Sequence, residues 1–365
     1  MSGNYDGIKT RGYGIEIECT GITRNQAAKA VAKVLESQAI SEGGFYDKYT
    51  IKDIKDRKWS IVYDGSIKCV DRNKNAASKL YSVELNSPVL AYEDIPMLQE
   101  VVRALRKAGA VTGAEYKCGI HIHISADDFD ARSLRNLVNI FASKEDFLWE
   151  ALQVSLMRSG YCEKVDQRFL SELNKKKPKT IEGIERLWYN GVSRSHDHYD
   201  TSRYHALNLH SYFSGGHFEI RCCNSSLHAG VIRSYLTLVL AISNAAVTKK
   251  YCSPKVSRSD NMRYSFRVWL LNWLLNLGLI GDEFKNCRTH LLKHLDGNIA
   301  WRHPEDAIAQ RERLRQERIE QREQACANLP TYAEEAEITP DEISEDCESE
   351  FEEEETEEMG MELSM

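Results

Sequence analysis

The chain predicts a mixed α+β fold built on an antiparallel sheet. Two observations carry this class: strand-like runs alternate irregularly with helical ones, and several strands set charged residues on one face against aliphatic residues on the other. With 365 residues and 42% hydrophobic content the chain can bury a sizeable core, as one large domain or two ordinary ones.

The elements follow in order. YGIEIEC is the first strand, and the amphipathic run RNQAAKAVAKVLES, with Ala and Val recurring at helical spacing, is the first helix. KWSIVYDGSI reads as a strand entering an Asp-Gly turn, and SKLYSVELNSPVL as another strand stopped by Pro88. DIPMLQEVVRALRKAG follows as a helix, with Leu98, Val101, Val102 and Leu105 on one face and Gly109 placed as its C-terminal cap. CGIHIHIS is the next strand. Residues 126–200 are more polar and mostly helical, carry the Lys-rich stretch NKKKPKT, and are expected to form an insertion or lid over the sheet.

RYHALNLHSYFSGGHFEIRCC returns to strand periodicity, with Gly215 and Gly216 expected to form a tight turn between two strands. A long helix from His228 to Val247 and a helical pair ending near residue 295 close a body spanning 1–300. Residues 301–330 are charged all round and helix-prone, which predicts a solvated helix. Residues 331–365 have the composition of a disordered acidic tail, a feature that usually serves solubility, charge balance or weak docking to basic surfaces.

Charge and cysteine usage exclude several classes. The net charge of −7 hides an asymmetry: residues 331–365 hold 16 Asp plus Glu and no Lys or Arg, so residues 1–330 hold 48 basic residues against 39 acidic ones. That excess of +9 is too modest and unpatterned for nucleic-acid binding. The ten cysteines are scattered, with no C-x-x-C pair, and read as reduced thiols of a cytoplasmic protein. The N-terminus has no apolar signal-type segment, and YLTLVLAISNAAV and VWLLNWLLNLGLIG fall short of the roughly 20 residues that span a bilayer, so no membrane role is expected.

The chemistry lies in four strands. Glu16 and Glu18 alternate with Ile15 and Ile17, Glu84 sits in SVELNSP, His121, His123 and Ser125 alternate with isoleucines, and Glu219 alternates with Arg221. Period-two spacing puts each set on one face of its strand. A single E-x-E or H-x-H is weak, since the solvated face of an antiparallel sheet often looks this way. Four together predict one polar surface. Carboxylates so crowded either stay protonated or surround a cation; Mg²⁺ takes oxygen ligands, and an arginine beside it would meet phosphate oxygens. His196 and His198, in SRSHDHYD, lack flanking apolar alternation and are read as loop residues. His290 and His294 have helical spacing, but no Glu follows the first, so they are assigned a packing role and not a zinc site.

In order, GIEIE, YDGSI, VELNSP, GIHIHIS, RYHALN and FEIR resemble the signature of the amidoligases, in the glutamine synthetase and glutamate-cysteine ligase superfamily of carboxylate-amine ligases. The resemblance covers roughly residues 11–245 and is thinnest over 126–200. It implies an antiparallel sheet of glutamine-synthetase-like type, and an enzyme that uses ATP and Mg²⁺, or Mn²⁺, to join a carboxylate to an amine through an acyl phosphate. By this resemblance Glu16, Glu18, Glu84, His121 and Glu219 would hold metal. His123 would contact ATP phosphate, Ser125 would lie by the nucleotide, and Arg203 and Asn208 would hold phosphate or the carboxylate substrate. Arg221 would grip the transferring phosphoryl group, and Asp64 would hold and deprotonate the amine. Glutamine synthetases run the DGS motif before E-x-E, whereas here the order is reversed, which fits the amidoligase branch. The donor and acceptor could be small molecules, peptides or proteins. No G-x-x-x-x-G-K-[ST] occurs, so a P-loop is excluded. Two other classes remain open: a metal-dependent hydrolase built on the H-x-H strand, and a non-catalytic interaction protein on a ligase-like fold.

Overall fold

The computed structural model describes residues 6–255, 266–295 and 304–327. Its centre is one eight-stranded sheet. The strands are β1 (Tyr13–Cys19), β2 (Ala39–Gly43), β3 (Lys48–Lys52), β4 (Lys58–Val62), β5 (Val83–Asn86), β6 (Gly119–Ser125), β7 (Leu207–Asn208) and β8 (His217–Asn224). They run in the order β2-β3-β4-β5-β1-β6-β8-β7, every neighbouring pair antiparallel. The α+β class holds, on an open antiparallel sheet.

Alternation divides the sheet into an oily and a polar face. Ile15, Ile17, Leu85, Ile120, Ile122, Trp59 and Ile61 are buried in a single core. Over that face pack the helices Arg24–Val34, Ile95–Lys107, Ala229–Thr248 and Ala131–Ala151. Local sequence fixes their ends: Thr23 and Gln26 make a capping box, Asp130 accepts from the Ser133 N–H, and Gly109 takes φ +95° just past the helix it ends. Ala229–Thr248 is long and apolar enough to cross a membrane, but 72% of its most apolar window is buried in the core. Helix Ala131–Ala151 belongs to this helical layer; the chain reaches the polar face only after it, through Leu156–Tyr161 and the stretch from Ser193 to Tyr204.

Two details differ from the expectations. The β2–β3 hairpin was not anticipated, although AISEG and KYTIK flank the Gly43-Gly44 pair, because β2 is exposed at the sheet edge and carries no apolar alternation. The turn expected at Gly215 and Gly216 is instead the C-terminus of a short helix, His210–Gly215, with Gly216 left-handed at φ +74°. Pro304–Ala327 is a helix with Ile308, Leu314 and Ile319 solvent-exposed, while the acidic stretch 331–365 lies outside the described residues. The eight described cysteines are free, and His290 packs face to edge on His228 with ring centroids 5.2 Å apart.

Candidate active site on the polar face of the sheet

The register brings the predicted residues together. β1 lies between β5 and β6, with Glu16 opposite Asn86 and His121, and Glu18 opposite Glu84. On the far side of β6, His123 pairs with Glu219, which in turn pairs with Asn208. Glu16 Oε2 lies 2.8 Å from His121 Nδ1, Glu16 Oε1 lies 3.0 Å from His123 Nε2, and Glu219 Oε1 is 3.4 Å from His121 Nδ1. Two groups have metal-sized spacing, Glu16 with His121 and Glu219, and Glu18 with Asp64 and Glu84; within each, the ligand atoms lie within 4.8 Å of one another. An oxygen-rich donor set with one imidazole fits hard divalent cations.

Crowding shows in the charge states. Burial raises the Glu84 carboxyl, and the neighbouring Glu16, Asp64 and Glu18 charges add to it, to about 9. Burial also raises Glu18, helped by Asp64. At Glu16 burial acts upward as well, but hydrogen bonds from His121 and His123 outweigh it and hold the carboxyl well below its ordinary range. Glu219 is likewise held low against its burial by Arg221 and the two histidines. Burial lowers His123 and Glu16 more than restores it, so its imidazole sits above the usual value. The floor therefore splits into an ionised half around Glu16 and Glu219 and a proton-holding half around Glu84, the pattern that a cation would reorganise.

Arg221 lies buried beside this floor, with Nη1 hydrogen-bonded to Glu219 Oε1. A shift in register puts an extra residue of β8 opposite β6 between Ile120 and Ile122, a bulge that re-aims Arg221. Arg158, from the 3-10 turn Leu156–Tyr161, fixes that bulge by donating to the carbonyls of Cys223 and Arg221. Gly119 makes room for it: a Cβ there would stand 2.1 Å from Arg158 Nη2. The Gly119 N–H meanwhile donates to Glu18 Oε2 at 2.6 Å. Asn208 is buried, donating to Glu219 Oε2 at 2.7 Å and accepting from the His210 N–H at 2.9 Å, so what it holds is the carboxylate and the following helix.

Above the floor is a cleft of about 800 Å³ that Glu16, Glu18, Asp64, Glu84, Glu219 and Arg221 all line. Arg203 lines it too, with Nη1 3.3 Å from the His198 carbonyl. Ser125 instead lines an adjoining cavity of about 380 Å³ that shares Glu16 and His123 with the cleft. Among the described residues, His123 Nδ1 and Asn86 Oδ1 are buried without a hydrogen-bond partner, and both residues line this second cavity. Every predicted site residue is thus on the polar face, with Ser125 set apart from the metal-spaced groups.

Other lining residues escaped the sequence reading. Arg158 is a single arginine in LMRSGY, with no pattern around it, and Lys117 and Tyr161 are equally unmarked. His196 and His198 do lie in a loop, yet that loop returns over the sheet and both line the cleft. Only the fold could bring them there. Over residues 9–243 the chain matches the family described as "Putative amidoligase enzyme". No curated protein matches it.

Proposed function

The chain belongs to the amidoligase family, a family of ligase-type enzymes, and from that premise we propose that it is an ATP- and Mg²⁺-dependent carboxylate-amine ligase. The observation that carries this reading is the convergence of two metal-spaced groups, five carboxylates and an imidazole in all, beside the buried Arg221. We read the sheet as of glutamine-synthetase-like type, with its site on the polar face.

A carboxylate is a poor acyl donor. Phosphoryl transfer from ATP to one of its oxygens gives an acyl phosphate, and attack of an amine on the carbonyl carbon expels phosphate and leaves the amide. Glu16, His121 and Glu219 would hold one divalent cation, and Glu18 and Glu84, with Asp64 beside them, a second. Bound there, Mg²⁺ or Mn²⁺ supplies positive charge that offsets the charge of the nucleotide phosphates. Arg221 and Arg203 offer guanidinium donors to the transferring phosphoryl group. His123 and Ser125, bordering the adjoining cavity, face the nucleotide. Asp64 takes the proton of the incoming ammonium so that a neutral amine attacks. Asn208 keeps Glu219 in place. The donor and acceptor are a carboxylate and an amine, and the free cysteines fit a cytoplasmic setting.

Calorimetry of the wild type with ATP and Mg²⁺ tests the reading. Metal-dependent binding in the micromolar range, lost in Glu18→Ala and in Arg221→Ala, is expected. Absence of ATP binding together with tight uptake of zinc or iron would overturn it and favour a hydrolase.

A further inference from the structure

The mouth of the cleft differs from its floor. The floor carries the carboxylates, whereas the rim carries Lys117, exposed, and Arg203, with His196 and His198 of the loop that returns over the sheet. Beside these cations lie large apolar side chains left in solvent: Met157 is 62% exposed, Tyr161 44% and Tyr199 69%. The apolar surface extends outward, since Tyr199 lies beside Tyr46 at the tip of the β2–β3 hairpin, where Phe45 is 85% exposed. Exposed apolar groups gathered around a cleft mark a docking surface, and interleaved cations select an acidic segment with apolar residues in it.

The chain contains such a segment. Residues 345–365, EDCESEFEEEETEEMGMELSM, hold 11 of the acidic residues of the tail, no basic residue, and Phe351, Met359, Met361 and Leu363 among them. The helix Pro304–Ala327 precedes it, and the chain from residue 328 to 365 could at full extension span on the order of 120 Å. Tethering turns weak complementarity into appreciable occupancy, because the effective concentration of a linked segment reaches roughly the millimolar range.

We infer that residues 345–365 dock across the cleft mouth of their own chain, glutamates on Lys117 and Arg203 and apolar side chains on Met157, Tyr161 and Tyr199. The cleft then accepts an acidic peptide, and the tail competes with the substrate; that last consequence rests on the ligase reading, while the docking does not.

Zero-length carbodiimide coupling of the full chain, read by peptide mass spectrometry, tests this, because Lys117 supplies an amine and the tail supplies carboxylates. The expected product joins Lys117 to a glutamate of 345–362 within one chain, as shown by mixing isotopically light and heavy protein. Its yield falls at least about fivefold in Phe351→Ser/Met359→Ser, which keeps the tail charge, and in Met157→Ser/Tyr199→Ser, whose side chains are exposed and leave the core alone. Salt near 1 M, where screening acts within about 3 Å, abolishes it. No Lys117 product, a product formed mainly between light and heavy chains, or equal yield in the apolar variants would overturn the docking. ATP and Mg²⁺ binding, measured in the same samples, stands or falls separately and reports on the ligase reading alone.

Discussion

Gly119→Ala isolates the contact that aims Arg221. A Cβ at 119 would sit 2.1 Å from Arg158 Nη2 and 2.6 Å from its Cζ, far inside van der Waals contact. Arg158 is buried and its guanidinium donates to the Cys223 and Arg221 carbonyls, so it can leave only by breaking those bonds. Hydrogen bonds from a charged donor contribute about 1.5–3 kcal/mol each, which puts the loss of two at about 3 kcal/mol or more. Without the arginine the sign reverses: alanine in a strand loses less backbone entropy than glycine, and Gly119→Ala should then be neutral or stabilising by about 0.5–1 kcal/mol. Urea unfolding of the wild type, Gly119→Ala, Arg158→Ala and the double variant closes the cycle, with an expected coupling of about 3 kcal/mol. Equal cost of Gly119→Ala in both backgrounds would refute the reasoning, because the clash would then be with something other than Arg158. ATP affinity should fall with stability in Gly119→Ala, since the β8 bulge is what the arginine holds.

Four further outcomes are expected. Glu84 is raised to about 9 by burial and then by Glu16, Asp64 and Glu18, so divalent metal has to displace its proton; affinity should climb with pH up to that value and a proton should be released on binding, both read by calorimetry in two buffers of different ionisation heat. Glu84→Gln should leave the unfolding free energy within about 0.5 kcal/mol of wild type while weakening metal binding, because the carboxyl is already neutral near pH 7 when no metal is bound. Glu145 is raised to about 8 by burial, against the Val165 N–H and Lys164, which act downward; the folded state keeps a proton that the unfolded state loses above about 4.5, so stability falls as pH rises through this window, and Glu145→Gln should flatten that fall by an amount on the order of 4 kcal/mol in pH-dependent unfolding. His290 is lowered to about 4 by burial and then by His228 and Lys293, so the unfolded state takes up the proton first on acidification: stability is lost as pH drops from about 6.5 to 4, and His290→Gln should lose less over that range in the same experiment.

The floor of the site was legible because strand periodicity is local. In GIEIE, VELN, GIHIHIS and FEIR the side-chain identity of every second residue states which face it joins, and burial of the intervening apolar residues then forces all four polar sets to the other face. What sequence alone left open was adjacency, and the strand order supplied it by placing β1 between β5 and β6. The missed residues share the opposite character. Arg158, Lys117, His196 and His198 sit on turns and loops where no period exists, and their place depends on where the chain returns after helix Ala131–Ala151. Gly119 is the instructive case. Its role is set neither by a positive φ nor by a turn but by a guanidinium arriving from 39 positions along the chain, so a glycine that read only as the start of a strand is the space in which the arginine that holds the β8 bulge is seated. A floor written in local periodicity and a rim assembled by tertiary return can change independently: substitutions at the rim alter what the cleft admits while the metal-spaced groups beneath keep their register.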